Sequence, residues 1–77
     1  MTFGNWVYKH LQEVDRSNSW LCRQAGLSLG SVTFWRRGAS PKLDTVLSII
    51  SILSEELGIN ATALIEDMHI SMTEEEL

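Results

Sequence analysis

The stretch GLSLGSVTFWRRG, residues 26–38, decides how the fold is interpreted. It opens with a glycine suited to ending one helix, and Ser28 can cap the next helix through its hydroxyl. The helix predicted from there covers residues 29–37 and buries Val32 and Trp35. Its outward positions are mostly apolar or small: Leu29, Gly30, Thr33 and Phe34. The pattern favours a helix exposed for binding, yet its exposed side chains offer few hydrogen-bonding groups.

Apolar residues recur at three- and four-residue steps on both sides of this stretch, which predicts further helices. The first is expected over residues 3–15, and Ser17 caps a second over residues 18–25. A fourth helix covers residues 43–57, and Asn60 caps a fifth. No segment of the sequence alternates convincingly as a strand. The fold class predicted is all-α, a compact bundle of five helices.

The helical spacing also assigns a core, in which Trp6, Trp35 and Cys22 are expected to be buried. The expected packing residues of the last two helices are Leu43, Val46, Leu47, Ile50 and Leu53, followed by Ala61, Leu64, Ile65 and Met68. A further apolar set would either thicken the core or form the face of a homodimer: Ile49, Ile52, Met68, Ile70 and Met72. The spacing favours neither of these two roles over the other.

Charge is unevenly distributed along the chain, which has 77 residues and a net charge of −4. All six basic residues lie within residues 1–42, where only Glu13 and Asp15 oppose them, so this part carries +4. Residues 43–77 hold eight acidic residues and no basic one, and they carry −8. Such asymmetry favours an anionic partner for one face of the protein, unless it is chance clustering in a short chain.

Domain organisation and compartment are predicted from simple features of the sequence. The length and the continuous helical pattern predict one domain over residues 1–68 and an acidic, flexible tail over residues 69–77. The single cysteine excludes an internal disulfide, and the first residues lack the pattern of a signal peptide. The longest strongly apolar stretch, residues 46–53, is too short to cross a bilayer. We therefore expect a cytoplasmic protein without a membrane partner.

Taken together, the spacing of these features resembles that of the phage-repressor-like (Xre/Cro-type) helix-turn-helix family over residues 5–66. The matching residues are Ser17, Leu21, Cys22, AGLS at 25–28, Val32, Trp35, RG at 37–38, PKLDTVL at 41–47, LGIN at 57–60 and Leu64. The resemblance implies a five-helix domain with its helix-turn-helix at residues 18–37. It also implies a bacterial or phage regulator of transcription, repressor-like, that binds double-stranded DNA sequence-specifically with its third helix in the major groove.

The resemblance further implies two sets of DNA-binding residues. Those expected to contact phosphates are Ser17, Asn18, Arg36, Arg37 and Lys42. Those expected to face the bases are Ser28, Leu29, Gly30, Thr33 and Phe34. The phosphate set also has structural explanations, because Ser17 and Asn18 suit a helix start and the arginines suit a helix end. A cation at a helix C-terminus stabilises it by about 0.3–1 kcal/mol.

The base-facing set departs from the family's pattern, and this leaves a second function open. Gln, Asn and Arg are the usual base readers because they make paired hydrogen bonds with base edges, and this helix has none of them before Arg36 and Arg37. Leu29 and Phe34 can contact only thymine methyl groups or sugars, and they would equally suit a protein partner. The alternative is a protein-interaction module of the same fold, a modulator or antirepressor.

Catalysis is not expected from this sequence. His10 and His69 stand at no spacing that would ligate a metal, and Cys22 is expected to be buried and unreactive. The sequence has no glycine-rich phosphate-binding motif and no pair of carboxylates in an apolar setting. We expect no enzymatic activity, cofactor, metal site or small-molecule substrate.

Overall fold

Five α-helices and no β-strand make up residues 1–74, which are the residues described by the structure, a computed structural model. The helices are α1 (Phe3–Glu13), α2 (Asn18–Ala25), α3 (Ser31–Arg36), α4 (Leu43–Leu57) and α5 (Ala61–Thr73). All five contribute to one buried cluster of apolar side chains. The predicted all-α fold is confirmed.

Most of the predicted helix ends are confirmed in atomic detail. The Ser17 hydroxyl accepts a hydrogen bond from the Trp20 amide (3.0 Å), and Asn60 Oδ1 accepts one from the Thr62 amide (2.8 Å). These bonds satisfy amides that have no partner within their own helix. Gly26 and Gly58 end α2 and α4 at φ values of 68° and 67°, where glycine avoids the strain of a side chain.

The predicted cap and bounds of the third helix are wrong. Ser28 does not cap it, because its hydroxyl pairs with the Ser31 hydroxyl (3.2 Å) and not with a backbone amide, while the Ser28 carbonyl accepts from the Ser31 amide (3.1 Å) and closes a turn through Leu29 and Gly30. The helix therefore runs from Ser31 to Arg36 instead of over residues 29–37, and Gly30 stands at its start without a side-chain cap. The result is a short helix preceded by an exposed turn.

The outer helices also end at positions that differ from the prediction. The first helix ends at Glu13 instead of residue 15, because Asp15 adopts a left-handed φ of 57°. The last helix continues to Thr73, so residues 69–73 are helical where a flexible tail was expected. Residues 75–77 of the expected tail lie outside the described residues.

The close approach of α1 to α3 occurs at Gly4. A side chain at Gly4 would collide with backbone atoms of Trp35 and Arg36, so the two helices touch backbone to backbone there. Beside this contact the rings of Phe3 and Trp35 meet edge to face with centroids 5.5 Å apart. The predictions that Trp6, Trp35 and Cys22 are buried are confirmed. Glycine at position 4 is thus what allows α3 to lie directly on α1.

The buried face of α4 agrees with the predicted one in part. The predicted residues Val46, Ile50 and Leu53 face the core, and Ile49 is buried with them. Leu43 and Leu47, which were expected to pack, are exposed by 73% and 49%. The apolar band of α4 is wider than one face, so contacts with α2 and α5 select which part of it is buried.

The prediction for α5 is likewise confirmed in part. The predicted residue Leu64 is buried and Met68 is half-buried, and Asp67 and Ser71 are half-buried on the same inner side. The expected packing residues Ala61 and Ile65 are exposed. On the inner side the Asp67 carboxylate lies toward α1, where it makes a polar contact.

That polar contact joins α5 to the first helix. Asp67 Oδ2 accepts a hydrogen bond from the indole N–H of Trp6 (2.8 Å) and lies 3.2 Å from His10 Nε2. The Trp6 hydrogen bond is the largest influence on the pKa of Asp67 and lowers it below the ordinary 3.8; partial burial opposes this, and His10 and Lys9 lower the pKa further. The ionised form of Asp67 is therefore the form that the fold stabilises.

Replacing Gly4 by alanine is expected to destabilise the protein by about 2 kcal/mol, because overpacking against a backbone cannot be relieved by a rotamer change. Helix propensity alone would make the Gly4→Ala variant more stable by about 1 kcal/mol, because alanine is the better helix former. The expected change in the free energy of unfolding therefore has the opposite sign to that of helix propensity. Urea unfolding followed by tryptophan fluorescence measures the change. The control is Gly30→Ala, whose added side chain meets only the Phe34 ring edge at 3.8 Å. A Gly4→Ala variant as stable as the wild type would contradict the close approach.

The Asp67→Asn variant is expected to lose less free energy of unfolding than the wild type when the pH is lowered. The folded pKa lies below the unfolded value of 3.8, so the contribution of ionised Asp67 is present above that pH and is lost as pH falls through the lower folded value. The side chain is 46% exposed, so solvent screening limits the effect to less than about 1 kcal/mol. The free energy of unfolding is measured by urea titration at about five pH values between pH 6 and pH 2.

The matched control for Asp67→Asn is Glu66→Gln, which removes the same charge from the next residue of α5 without touching Trp6 or His10. The wild type and Glu66→Gln are expected to lose more stability in acid than Asp67→Asn. Identical acid profiles for the two variants would contradict a stabilising role for the Asp67 carboxylate.

Candidate functional site

The segment from α2 to α3 exposes one side of α3 completely. At the end of α2, the Leu27 amide donates to the Cys22 carbonyl (2.8 Å), and the half-buried Leu27 side chain packs against the core below the turn. The helix α3 buries only Val32 and Trp35, which were both predicted. Because these two residues lie on one side, the rest of this short helix is left for solvent or a partner.

All five residues predicted to face bases are exposed: Ser28, Leu29, Gly30, Thr33 and Phe34. Leu29 and Phe34 are the most prominent, with 58% and 60% of their surfaces exposed. The Phe34 ring lies beside Gly30, 3.8 Å from the position where a side chain there would begin. The Ser28 and Ser31 hydroxyls are 3.2 Å apart and share a hydrogen bond. The surface is an apolar ridge with hydroxyl groups at its start.

The predicted phosphate-contacting residues at the start of α2 differ in availability. The Ser17 hydroxyl accepts the capping hydrogen bond from the Trp20 amide. The half-buried Asn18 amide makes no hydrogen bond with residues 1–74, and its Oδ1 atom is buried without a partner. A buried polar atom without a partner costs about 1–3 kcal/mol. Asn18 is therefore the residue of this pair whose side chain is not explained by helix capping.

The three predicted cations near the end of α3 differ in whether their side chains already have a partner. Arg37 and Lys42 are exposed, and neither side chain makes a hydrogen bond or an ion pair within residues 1–74. The Arg36 guanidinium is held: its Nε donates to Asn5 Oδ1 (3.0 Å), and its central carbon lies 4.1 Å from the centre of the Tyr8 ring. Two of the three cations are thus free, and the third is oriented by α1.

Sequence reasoning missed the contribution of α1 to this surface. Thr2, Asn5 and Tyr8 recur at steps of three residues beside the apolar stripe of α1, and all three meet Arg36. The spacing alone marks them as one row on the helix. Nothing in the sequence indicates that α3 ends beside that row, so the partner could not be predicted.

The predicted homodimer face is only partly available. Ile49 is fully buried, so of the two roles predicted for it the place in the core is confirmed and the place in a dimer face is excluded. Ile52 and Met68 are half-buried and pack against the core, whereas Ile70 is 55% exposed. On the outer side of α5, Ile65, Glu66, His69 and Ile70 line a shallow depression that is open to solvent.

Residues 1–74 contain no group of three or more His, Cys, Asp or Glu side chains that could hold a metal ion. No single helix among them is long and apolar enough to cross a membrane; α4 and α5 reach that length and hydropathy only as a pair bent by 113°.

Comparison of the chain with models of known protein families, with curated proteins and with solved structures found no match.

Proposed function

We propose that this protein is a helix-turn-helix DNA-binding regulator of transcription in which α2 and α3 form the helix-turn-helix and α3 enters the major groove of duplex DNA. The observation that carries the proposal is the combination of a fully exposed outer face on α3 with free cations that follow it in the chain, Arg37 and Lys42. Cationic side chains neutralise phosphates and thereby supply most of the affinity for any duplex.

Phosphate contacts in this proposal position α3 without reading sequence. Arg37 and Lys42 bind the backbone beyond the end of α3, and Asn18 binds it at the start of α2. The Asn18 NH₂ group makes no hydrogen bond within residues 1–74 and can donate to a phosphate oxygen, whereas the buried Oδ1 atom is itself an acceptor and needs a different partner. Helix starts present free amides, which also favour an anion.

Base recognition in this proposal is mainly apolar. Thr33 donates or accepts one hydrogen bond, while Leu29 and Phe34 contact thymine methyl groups. A side chain that makes two hydrogen bonds to the same base discriminates against the wrong base by roughly 1–3 kcal/mol. The exposed face of α3 lacks the side chains that make such a pair. We therefore expect a preference for sites with thymine and modest overall selectivity.

A protein-interaction module is the second candidate, and the exposure of Leu29 and Phe34 favours it. Adjacent exposed apolar side chains often mark a protein contact. This function does not need free cations at Arg37 and Lys42, so DNA binding explains more of the surface. The two candidates differ in their dependence on salt, because only binding to duplex DNA releases the counterions of phosphates.

A second copy of this chain is the partner proposed for the outer face of α5. Ile65, Glu66, His69 and Ile70 are arranged symmetrically about the middle of their segment. If two α5 helices cross antiparallel about a twofold axis, Ile65 faces Ile70 of the other copy, and Glu66 faces His69. The patch is therefore complementary to itself, which a twofold interface requires. Ile65 and Ile70 are 40% and 55% exposed and supply the apolar contact.

Binding to duplex DNA is expected to weaken steeply as the salt concentration rises. The affinity falls as the salt concentration raised to an exponent, the salt exponent, and each neutralised phosphate adds about 0.9 to it. Removing one phosphate contact through Arg37→Ala should weaken binding to all sequences alike, by about tenfold at low salt, and lower that exponent by about 0.9. Fluorescence anisotropy with a pool of random duplexes measures both quantities. Selection of bound duplexes at the same salt then gives the preferred site.

The control is Lys9→Ala, which removes the same charge from a residue of α1 that lies near Asp67. It should leave affinity and salt dependence close to those of the wild type. Absence of duplex binding by the wild type at about 50 mM salt would contradict the DNA-binding proposal. Equal effects of Lys9→Ala and Arg37→Ala would contradict the position of the site.

Association through α5 is tested by placing charges across the proposed twofold axis. His69→Glu places a second carboxylate against Glu66 of the other copy and should weaken the dimer. Adding Glu66→Lys to His69→Glu places an ammonium group against that new carboxylate and should restore association. Sedimentation equilibrium at several concentrations measures the dimer constant. A wild type that stays monomeric at about 1 mM, or a double variant that associates no better than His69→Glu, would contradict this interface.

A further inference from the structure

Arg36 is the most constrained cation on the surface of the protein. Its backbone lies against Gly4, and its carbonyl accepts a hydrogen bond from the Thr2 hydroxyl (3.4 Å). Its guanidinium stacks on the Tyr8 ring at 4.1 Å and donates through Nε to Asn5 Oδ1 at 3.0 Å. Main chain and side chain are thus both held by α1.

These contacts leave one edge of the guanidinium unoccupied. A guanidinium carries five N–H donors, and Asn5 accepts from the one on Nε. The donors on the two Nη atoms make no hydrogen bond within residues 1–74, and Arg36 is an exposed residue. Two parallel Nη donors match the oxygens of one phosphate, and an oriented guanidinium loses less freedom when it binds.

A second arginine in the chain shows what a purely structural arrangement looks like. Arg16 stacks on Trp20 at 4.7 Å and donates through Nε to Glu56 Oε2 at 3.2 Å. The Glu56 carboxylate neutralises that guanidinium. Arg36 has the same two kinds of contact, but its acceptor is the neutral amide of Asn5. Its positive charge therefore remains available to an anion.

We propose that Asn5 and Tyr8 are positioning residues that aim the Arg36 guanidinium at a phosphate of the DNA backbone. The inference rests on the proposed function and extends it, because it gives α1 an indirect role in DNA binding through Arg36. Asn5 fixes the rotation of the guanidinium in its plane, and Tyr8 fixes the tilt of that plane. Neither residue contacts the DNA.

The experiment measures duplex affinity and its salt dependence by fluorescence anisotropy for single and double variants. Arg36→Gln should weaken binding about tenfold and lower the salt exponent by about 0.9, the loss of one phosphate contact. Asn5→Ala and Tyr8→Leu should each weaken binding about three- to tenfold, whereas Tyr8→Phe keeps the ring and should stay within about twofold of the wild type. The charge control is Arg16→Gln, which should leave the salt exponent unchanged because Glu56 already neutralises Arg16.

The decisive readout is the double variant Asn5→Ala with Arg36→Gln. If Asn5 acts through Arg36, the Asn5 substitution has no further effect on affinity once Arg36 is gone. Urea unfolding of every variant confirms that binding is measured on folded protein.

Three outcomes overturn the inference, and they are distinguishable. Independent, additive effects of Asn5→Ala and Arg36→Gln assign Asn5 a role that does not pass through Arg36. If the Arg36→Gln variant has the affinity and the salt exponent of the wild type, the contacts of Arg36 with Asn5 and Tyr8 are structural only. The DNA-binding proposal itself is then not contradicted. A wild type that binds no duplex removes the proposed function and this inference with it.

Discussion

The backbone contact between α1 and α3 at Gly4 is the constraint on which the rest of the surface depends. It brings α3 close enough for Trp35 to meet Phe3 and for the end of α3 to reach the side chains of Asn5 and Tyr8. Because one side of a six-residue helix is used in this contact, the opposite side has no neighbour within residues 1–74 that covers it. The exposure of the ridge is thus a consequence of how α3 is held.

The other end of the structure is organised by a polar contact. Trp6 is fully buried, and its indole N–H needs an acceptor that an apolar neighbour cannot supply. Asp67 supplies it from the inner side of α5, the side on which Leu64 is buried in the core. Ile65 and Ile70 lie on the outer side. The buried Leu64 and the hydrogen bond of Asp67 thus favour the same orientation of α5, and this orientation leaves Ile65 and Ile70 for a partner.

The contacts of the individual cations show which part of the charge asymmetry is available for binding. Of the cations in the first half of the chain, Arg16 is neutralised by Glu56 across to α4, and Arg36 is held by uncharged groups. Arg37 and Lys42 make no ion pair within residues 1–74. Net charge thus says little about a binding surface, whereas the charge of each cation's nearest acceptor distinguishes a structural arginine from an available one.

By itself, the sequence determined the number of helices, their approximate bounds, most of their caps and the exposed face of α3, because these depend on side chains only a few residues apart. The tertiary structure alone decided which part of each apolar band is buried. Both α4 and α5 carry apolar residues around more than one face, so burial of Ile49 and exposure of Leu43 depend on the neighbours they meet. It also decided that Arg36 meets Asn5, since residues 31 positions apart come together only when α3 packs on α1.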